Sequence, residues 1–535
     1  MKRLACGFVL LFFAFPLLAD EGQHHEEMTM EQLGTVHFPV SCAPSVQVTF
    51  ERGVALMHSF WYEEAEKAFQ QVAKDDPGCA MAHWGIAMSL WHQLWDRPDG
   101  ATLTQGLEEA KRGQSLHPKT SRERDYLAAA KTFYADSTKR DHATRAAAYS
   151  KAMEHMYQRY PEDKEAAAFY ALSLLASEPD DDRTFANRKK AIEILNKLFV
   201  EEPNHPGIAH YLIHSCDKPQ LAELGLPAAR RYAQIAPAAP HALHMPSHIF
   251  ARLGLWQDDI DSNLASVAAT RKSAAMHMGG EDHQFHAMDF LVFAYLQIGQ
   301  EADAKRIIEE VRTMPPVKSS FGDRFNAHQD ALTSFPATYA LELHHWREAA
   351  ALTPVPDAAA SEHAITYWAR AIGAARDGDA AEARKDIAEL ESIHKELAAS
   401  KMPYTTEAVE NDLLEANAWA DRAEGKNDGA VKALRALADK QDALGQESLW
   451  ISARQMLGDL LLDMKRPQEA LAEYEADLKT NPNRFNSLSG AAQAAEAAGK
   501  SQQANTYYAQ LVKNCAGSDS GRPELGRAKA LLAKN

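Results

Sequence analysis

The sequence predicts an all-α fold, a right-handed superhelical solenoid of helical hairpins, from its composition and from an internal repeat. Alanine is frequent, β-branched residues are sparse, and 27 glycines and 24 prolines in 535 residues are moderate numbers. This composition favours helices over strands. Comparing the chain with itself reveals a period of 34 residues, which is typical of stacked helical hairpins.

The repeat is clearest near the two ends of the chain. Small and aromatic residues recur there in one order, at spacings of 12, 4 and 8 residues, in the units Gly53, Ala65, Phe69 and Pro77; Gly458, Ala470, Tyr474 and Pro482; and Ala492, Ala504, Tyr508 and Ala516. Small residues let two helices cross closely, and a proline ends the second helix. The pattern resembles the tetratricopeptide repeat (TPR), from about residue 46 onward. A solenoid of such hairpins is stabilised by the interfaces between neighbouring repeats.

The first 19 residues have the features of a secretory signal peptide. Lys2 and Arg3 precede an apolar stretch from Ala5 to Leu18, and cleavage is expected after Ala19. The sequence therefore predicts an exported protein, periplasmic or extracellular. An N-terminal extension follows over residues 20–45. The change in composition predicts a His- and Trp-rich array over 46–350 and an Ala-rich array over 351–535.

The net charge and the cysteines limit the partners and the cross-links. A formal net charge of −17 argues against nucleic acid as a partner, and no later apolar run is long enough for a membrane span. We expect a soluble protein with a protein or peptide ligand.

Four cysteines remain after the signal peptide, with three possible pairings into two disulfides. We favour a Cys42–Cys79 disulfide and expect Cys216 and Cys515 to be free.

The spacing of the histidines indicates a binding site. Nine of the 23 histidines lie between His205 and His286, and several are three, four or seven residues apart, a spacing that places side chains on one helix face. By the resemblance to TPR proteins, the first helix of each repeat lines a concave groove. Three successive helices would then present these side chains to one cavity. As metal ligands we consider His210, His214, His244, His248, His286 and Asp289.

The cluster has two interpretations besides simple packing: a metal or catalytic site, or a site that binds an anionic or peptide ligand. Zinc or copper accepts three or four such ligands. Neither His210–His214 nor His244–His248 has the glutamate of an HExxH peptidase, so the sequence gives no catalytic residue and favours binding over catalysis. Pro246 leaves the local helix uncertain, because it either kinks a helix from His241 or starts a helix itself. In the second case His241 and His244 lie in a loop.

Two tryptophans suggest a second binding surface. In the TPR phase Trp84 and Trp91 occupy groove positions, and exposed aromatic residues on a concave wall are typical of ligand sites. Our leading hypothesis is therefore a scaffold that holds a peptide, protein or small ligand through Trp84, Trp91, His210, His214, His244 and His248. The alternative is a metal-binding protein or a metal-dependent enzyme.

Several sequence blocks resemble those of a group of exported bacterial TPR proteins. They are His205–His214, His241–Phe250, Ser41-Cys42 and Asp76–Gly85. The resemblance implies the fold and export, and it implies no activity, because that group has no established one.

Overall fold

The structure is a computed structural model that describes residues 30–94, 97–278, 280–317, 325–400, 403–445 and 451–533. The described part of the chain consists of helices and loops, without β-strands, as predicted. The proposed signal peptide and its cleavage site at Ala19 lie outside the described residues. Among the described residues, no helix combines the length and the apolar character that a membrane span requires.

The helices follow one another as antiparallel hairpins. The N-terminal helices are α1 (Met30–Leu33), α2 (Gln47–His58), α3 (Tyr62–Asp75), α4 (Ala80–Ser89), α5 (Gly100–Ser115), α6 (Ser121–Tyr134), α7 (His142–Arg159), α8 (Lys164–Ala176) and α9 (Ala186–Glu201). The middle helices are α10 (Pro206–Cys216), α11 (Ala222–Ile235), α12 (Pro240–His244), α13 (Pro246–Arg252), α14 (Trp256–Ala275), α15 (His283–Gln297), α16 (Glu301–Thr313), α17 (Ala327–Glu342) and α18 (Trp346–Ala350). The C-terminal helices are α19 (Ala360–Asp377), α20 (Ala380–Ala399), α21 (Pro403–Ala423), α22 (Asn427–Leu444), α23 (Ala453–Asp463), α24 (Pro467–Thr480), α25 (Phe485–Ala497), α26 (Ser501–Asn514) and α27 (Pro523–Leu532).

The first helices of successive hairpins pack side by side and form one wall. Thus α2 contacts α4, α4 contacts α6, α10 contacts α13, α12 contacts α15, and α15 contacts α17. Each second helix packs on the first helix of its own hairpin, as α3 does on α2 and α26 on α25. The predicted boundary near residue 350 falls between α18 and α19, which pack directly on each other.

An aromatic ring between two glycines defines the repeat in space. Phe69 lies against Gly53 and Gly85, and Tyr474 lies in the same way against Gly458 and Gly490. In both places the glycines stand 16 residues before and 16 residues after the ring. A Cβ at Gly53 would approach the Phe69 ring to 2.9 Å, so only a glycine leaves room for the aromatic side chain. The small and aromatic residues that predicted the repeat therefore form its interfaces.

The segment from Gly34 to Ala43, which we call the inner strap, runs in extended form along the first helices. Thr35 donates its backbone N–H to the carbonyl of Asn204 (2.9 Å), and Phe38 donates to Glu51 Oε1 (3.0 Å). A Cys42–Cys79 disulfide, the pair favoured by the sequence, fixes its end to the start of α4. Cys216 and Cys515 are free and buried, as expected.

The solenoid is closed by contacts between distant repeats. Trp256 Nε1 donates to the carbonyl of Asn483 (2.9 Å), whose side-chain amide donates back to the Gly254 carbonyl (3.1 Å). Further along, Asn486 Nδ2 donates to the Glu342 carbonyl (3.0 Å), and Ser518 Oγ donates to the Gly299 carbonyl (2.7 Å). The C-terminal hairpins thus return to the middle of the chain, which a linear array would not do.

Candidate functional site

The candidate site is a cluster of imidazoles where α10, α12, α13 and α15 meet. Local sequence positions these helices: His205, as N-cap residue, accepts the Ile208 N–H, and prolines occupy the first position of α10, α12 and α13. Pro246 lacks an N–H, so α12 and α13 follow each other end to end, joined at Met245. Both sequence interpretations of Pro246 hold in part, because it starts α13 while His241 and His244 remain helical.

The cluster contains two groups of three histidines. Within each group, one nitrogen of every ring lies within 4.8 Å of the others. The first triplet is His210, His214 and His241, and the second triplet is His244, His248 and His286. The structure thus brings together every histidine predicted as a ligand.

The first triplet is held by the turn that follows α2. His210 Nδ1 donates to the carbonyl of His58 (2.6 Å), which leaves the lone pair of its Nε2 directed at His241 Nε2, 3.1 Å away. The Phe60 ring lies beside all three imidazoles, with centroid distances of 4.3 to 5.6 Å. Phe60 has a left-handed backbone conformation (φ 53°), as does Lys465 at the same position of a later hairpin turn (φ 59°), so this conformation belongs to the turn of the repeat.

The second triplet has the clearer hydrogen-bond pattern. His244 Nδ1 lies 2.6 Å from Asn263 Oδ1, and the Asn263 amide is oriented by donating to the Asp259 carbonyl (3.0 Å). His248 Nδ1 donates to Asp217 Oδ2 (2.8 Å). Since both Nδ1 atoms carry a hydrogen, each ring in its neutral form has an Nε2 lone pair, and these two Nε2 atoms are 3.0 Å apart.

The electrostatics of the site favour neutral rings. Burial lowers the pKa of His210 to about 3, and desolvation lowers the pKa of His286 in the same direction although its side chain is partly exposed. Burial, and then repulsion from neighbouring imidazoles, lowers the pKa of His214, His241 and His244 well below the ordinary value. Neutral imidazole is the form that binds metal ions.

Asp217 and Arg252 form the charged part of the surrounding shell. Arg252 Nε donates to Asp217 Oδ1 (2.9 Å), while the other carboxylate oxygen accepts from His248. Although burial alone would raise the pKa of Asp217, Arg252 and His248 hold it well below its usual range. A carboxylate on the far nitrogen of an imidazole is a common outer partner of a metal-bound histidine.

Sequence reasoning assigned some residues incorrectly and missed others. Asp289 belongs to neither triplet, although it lies one turn after His286 on α15. His241, which the sequence did not select as a ligand, completes the first triplet, and Asp217 and Asn263 hydrogen-bond to His248 and His244 of the second triplet. The spacing of three residues from His241 to His244 was a usable signal for His241. No sequence pattern marked Asp217 or Asn263.

The prediction that Trp84 and Trp91 face the groove is wrong. Trp84 is 1% exposed because Phe38 of the inner strap packs on it at a centroid distance of 5.2 Å. Trp91 is fully buried and stacks on Phe133 at 3.5 Å. Neither indole can contact a ligand in the groove, so the aromatic part of the predicted binding surface belongs to the core.

Two other groups of possible ligands are structural. In the buried group His58, Glu165 and His205, each Glu165 oxygen accepts from one imidazole (2.8 and 2.9 Å). The remaining nitrogens accept from Tyr211 Oη (2.8 Å) and the Ile208 N–H (3.2 Å), so no lone pair is left for an ion. The group around Asp76 contains the two cysteines of the disulfide, which are no longer metal ligands.

Comparison with known proteins gives little about this site. No family model matches the chain, and no curated protein matches it. Among solved structures, the human IFIT1 dimer with m7Gppp-AAAA is 12% identical, with 81% of this chain and 90% of that chain covered and a TM-score of 0.33. Naa15/Naa10 bound to HypK-THB is 10% identical over 91% of both chains, with a TM-score of 0.23. Both similarities are too low to support an argument about function.

Proposed function

We propose that this protein is a metal-binding helical-repeat protein that holds transition-metal ions, zinc or copper, on the two histidine triplets. The observation that carries the proposal is the 3.0 Å contact between His244 Nε2 and His248 Nε2. Two lone pairs at this distance repel each other unless a cation lies between or beside them. Asn263 and Asp217 hold the hydrogens on the opposite nitrogens, so the rings cannot relieve the repulsion by changing tautomer.

The third ring of the triplet favours a metal ion over a single shared proton. A proton between His244 and His248 would need only those two nitrogens, yet His286 brings a third within 4.8 Å. Two nitrogens bound to one tetrahedral ion at about 2.0–2.1 Å lie roughly 3.3 Å apart, close to the observed 3.0 and 3.1 Å. All-imidazole ligand sets suit zinc and copper.

Two observations count against the peptide-scaffold hypothesis. Trp84 and Trp91 are buried, and the inner strap occupies part of the surface on which a peptide would bind. The inner strap covers the faces of α2, α4 and α6, with Phe38 in contact with Phe50, Trp84 and Tyr126. The Cys42–Cys79 disulfide attaches the end of the inner strap covalently to the start of α4. The imidazole cluster is therefore the better candidate for the functional part of the concave wall.

The test is metal binding by the full chain without a His-tag. We expect stoichiometric zinc or copper after loading and dialysis, measured by elemental analysis. A His244→Gln/His248→Gln variant loses the ion of the second triplet and keeps that of the first. The matched control is His155→Gln/His345→Gln, which removes two histidines outside the cluster and leaves the stoichiometry unchanged. Absence of stoichiometric metal from the folded wild-type protein would show that the proposal is wrong.

A further inference from the structure

The two triplets lie side by side in one space. The nearest rings across the boundary, His241 with His244 and His214 with His248, have centroids 6.1 and 6.4 Å apart. Rings within the first triplet are separated by up to 6.1 Å, so the spacing between the triplets is hardly greater than the spacing inside one. His241 and His244 are also on the same short helix, α12, one turn apart. Ions on the two triplets would therefore be neighbours.

Each triplet leaves a coordination position open. Among the described residues, neither group of ligand atoms includes a fourth histidine, cysteine or carboxylate. Structural zinc sites have four protein ligands, whereas sites with three protein ligands bind water or another ligand in the fourth position. Two adjacent ions with three imidazoles each could therefore share an exogenous ligand.

Charge determines what kind of ligand this is. Neutral imidazoles add no charge, so two divalent ions bring four positive charges into the groove. Asp217, the carboxylate that accepts from His248, is already paired with Arg252, so it does not fully offset the charge of the ions. Three of the six imidazoles are buried and three are half-buried or exposed, and uncompensated charge in such a partly buried site is costly, so an anion at the open positions is favoured.

Two phenylalanines line the cluster and offer a ligand no polar contact. Phe60 packs against the first triplet, and Phe290 packs against all three rings of the second at 4.8 to 5.3 Å. Both phenylalanines are at most 5% exposed, so they belong to the wall and cannot hydrogen-bond to a ligand. The ions themselves must supply the binding energy, which suits a compact anion with two oxygen donors.

We infer that the two triplets form one two-ion centre whose open positions bind a small oxyanion, such as phosphate or a carboxylate, between the ions. This inference rests on the proposed metal binding and adds the class of ligand. Each ion is coordinated by one oxygen of the anion, and no covalent bond is broken. The negative charge of the anion lowers the net positive charge of the two-ion centre. The centre is thus a metal-dependent oxyanion site.

The experiment uses the full chain loaded with Co²⁺ or Zn²⁺ and inorganic phosphate as the probe. We expect one phosphate for each two-ion centre in calorimetry, and a change in the visible spectrum of the Co²⁺ form. The metal-free protein does not bind phosphate. A His210→Gln/His241→Gln variant keeps the second triplet and one ion, and its phosphate affinity falls at least tenfold. Acetate in place of phosphate distinguishes a general oxyanion site from a phosphate-selective one.

The outcomes separate this inference from the proposed function. If the protein binds no stoichiometric metal, the proposed function itself fails. If two ions bind but phosphate and acetate change neither heat nor spectrum, or if the one-ion variant binds phosphate equally well, only the shared oxyanion site is overturned. Electron paramagnetic resonance of the Cu²⁺ form gives an independent readout, because two neighbouring Cu²⁺ ions show dipolar coupling that the one-ion variant lacks.

Discussion

At the scale of single residues, the partners of the imidazoles determine what the cluster can bind. Asp217 and Asn263 decide which nitrogen of His248 and His244 carries the hydrogen, and so direct both lone pairs to one point. The sequence revealed the histidines through their helical spacing. It could not reveal these partners, because Asp217 follows the end of α10 and Asn263 lies on α14, away from any local pattern.

The Asp217 carboxylate provides the first test of this arrangement. Replacing Asp217 by Asn removes the charge that both His248 Nδ1 and Arg252 contact, while the size of the side chain is kept. We expect zinc affinity to fall about 10- to 100-fold, the usual effect of losing such an outer partner. Competition with a chelator measures the affinity. Asp377→Asn, a change in an exposed ion pair with Arg347, is the control and should have no effect.

The carboxyl group of Asp459 gives a prediction about pH. Burial raises the pKa of Asp459 to about 7, and its Oδ1 accepts a hydrogen bond from Tyr474 Oη (2.5 Å). A folded-state pKa above the unfolded value means that the protonated form stabilises the fold. This contribution to the free energy of unfolding is complete below about pH 4. It falls by roughly 1.4 kcal/mol for each pH unit between about pH 4 and pH 7, and it is lost as the pH rises through 7.

Replacing Asp459 by Asn should therefore stabilise the protein more at pH 8 than at pH 5. The Asn oxygen still accepts from Tyr474, and no charge is buried. Thermal midpoints at the two pH values, compared with those of the wild type, measure the difference. The exposed Asp428→Asn change should leave the difference near zero. An equal shift at both pH values would show that ionisation of Asp459 does not affect stability.

At the scale of single helices, the sequence predicted most of what the structure contains. The glycines and aromatic residues gave the phase of the hairpins, and the contacts of Phe69 and Tyr474 with their glycines confirm it. The prediction for Trp84 is wrong because Phe38, 46 positions earlier in the chain, packs on the indole and buries it. A repeat pattern describes a helix and its neighbouring helices, and it contains no information about a segment that runs across them.

Two glycines test the role of the ring contacts in the hairpins. A Cβ at Gly85 would overlap the ring of Phe69, whereas a Cβ at Gly526 in α27 meets no atom within 4 Å. Gly85→Ala should destabilise the protein by about 1–3 kcal/mol through overpacking. Gly526→Ala should stabilise the exposed helix by roughly 0.5–1 kcal/mol, because alanine loses less backbone entropy. Urea unfolding measures both, and a stable Gly85→Ala protein would contradict the repeat interface described above.

At the scale of the whole molecule, the buried apolar residues of the described chain form three separate clusters whose ranges overlap along the chain. They extend from Leu33 to Met278, from Ala251 to Leu343 and from Ala337 to Ala528. The solenoid predicted from the repeats is present, but its closure was not predicted. The contacts that close it join residues more than 140 positions apart, and each involves polar groups of loops and helix ends rather than the repeat positions.

The closure also connects the C-terminal hairpins to the candidate site. Gly254 follows α13, the helix of His248 and Arg252, and it lies directly against Pro482 and Asn483. The Trp256 indole donates to the Asn483 carbonyl from the start of α14. The position of α13 therefore depends on its contacts with α10 and on the loop of Pro482 and Asn483. We expect that loss of the closing contacts makes the positions of the second-triplet histidines less well defined.

A pair of glycine substitutions separates the effect of the closing contacts from the strain that alanine causes in a left-handed turn. Gly254 and Gly425 both have a left-handed conformation (φ 63° and 82°), where alanine is strained by about 1–2 kcal/mol. A Cβ at Gly254 would also overlap the Pro482 carbonyl oxygen, whereas a Cβ at Gly425 meets nothing within 4 Å. We expect Gly254→Ala to enlarge the radius of gyration in small-angle X-ray scattering and to weaken zinc binding at the second triplet. Gly425→Ala should lower the thermal midpoint alone. If the two variants scatter alike and bind zinc alike, the closure does not support the site.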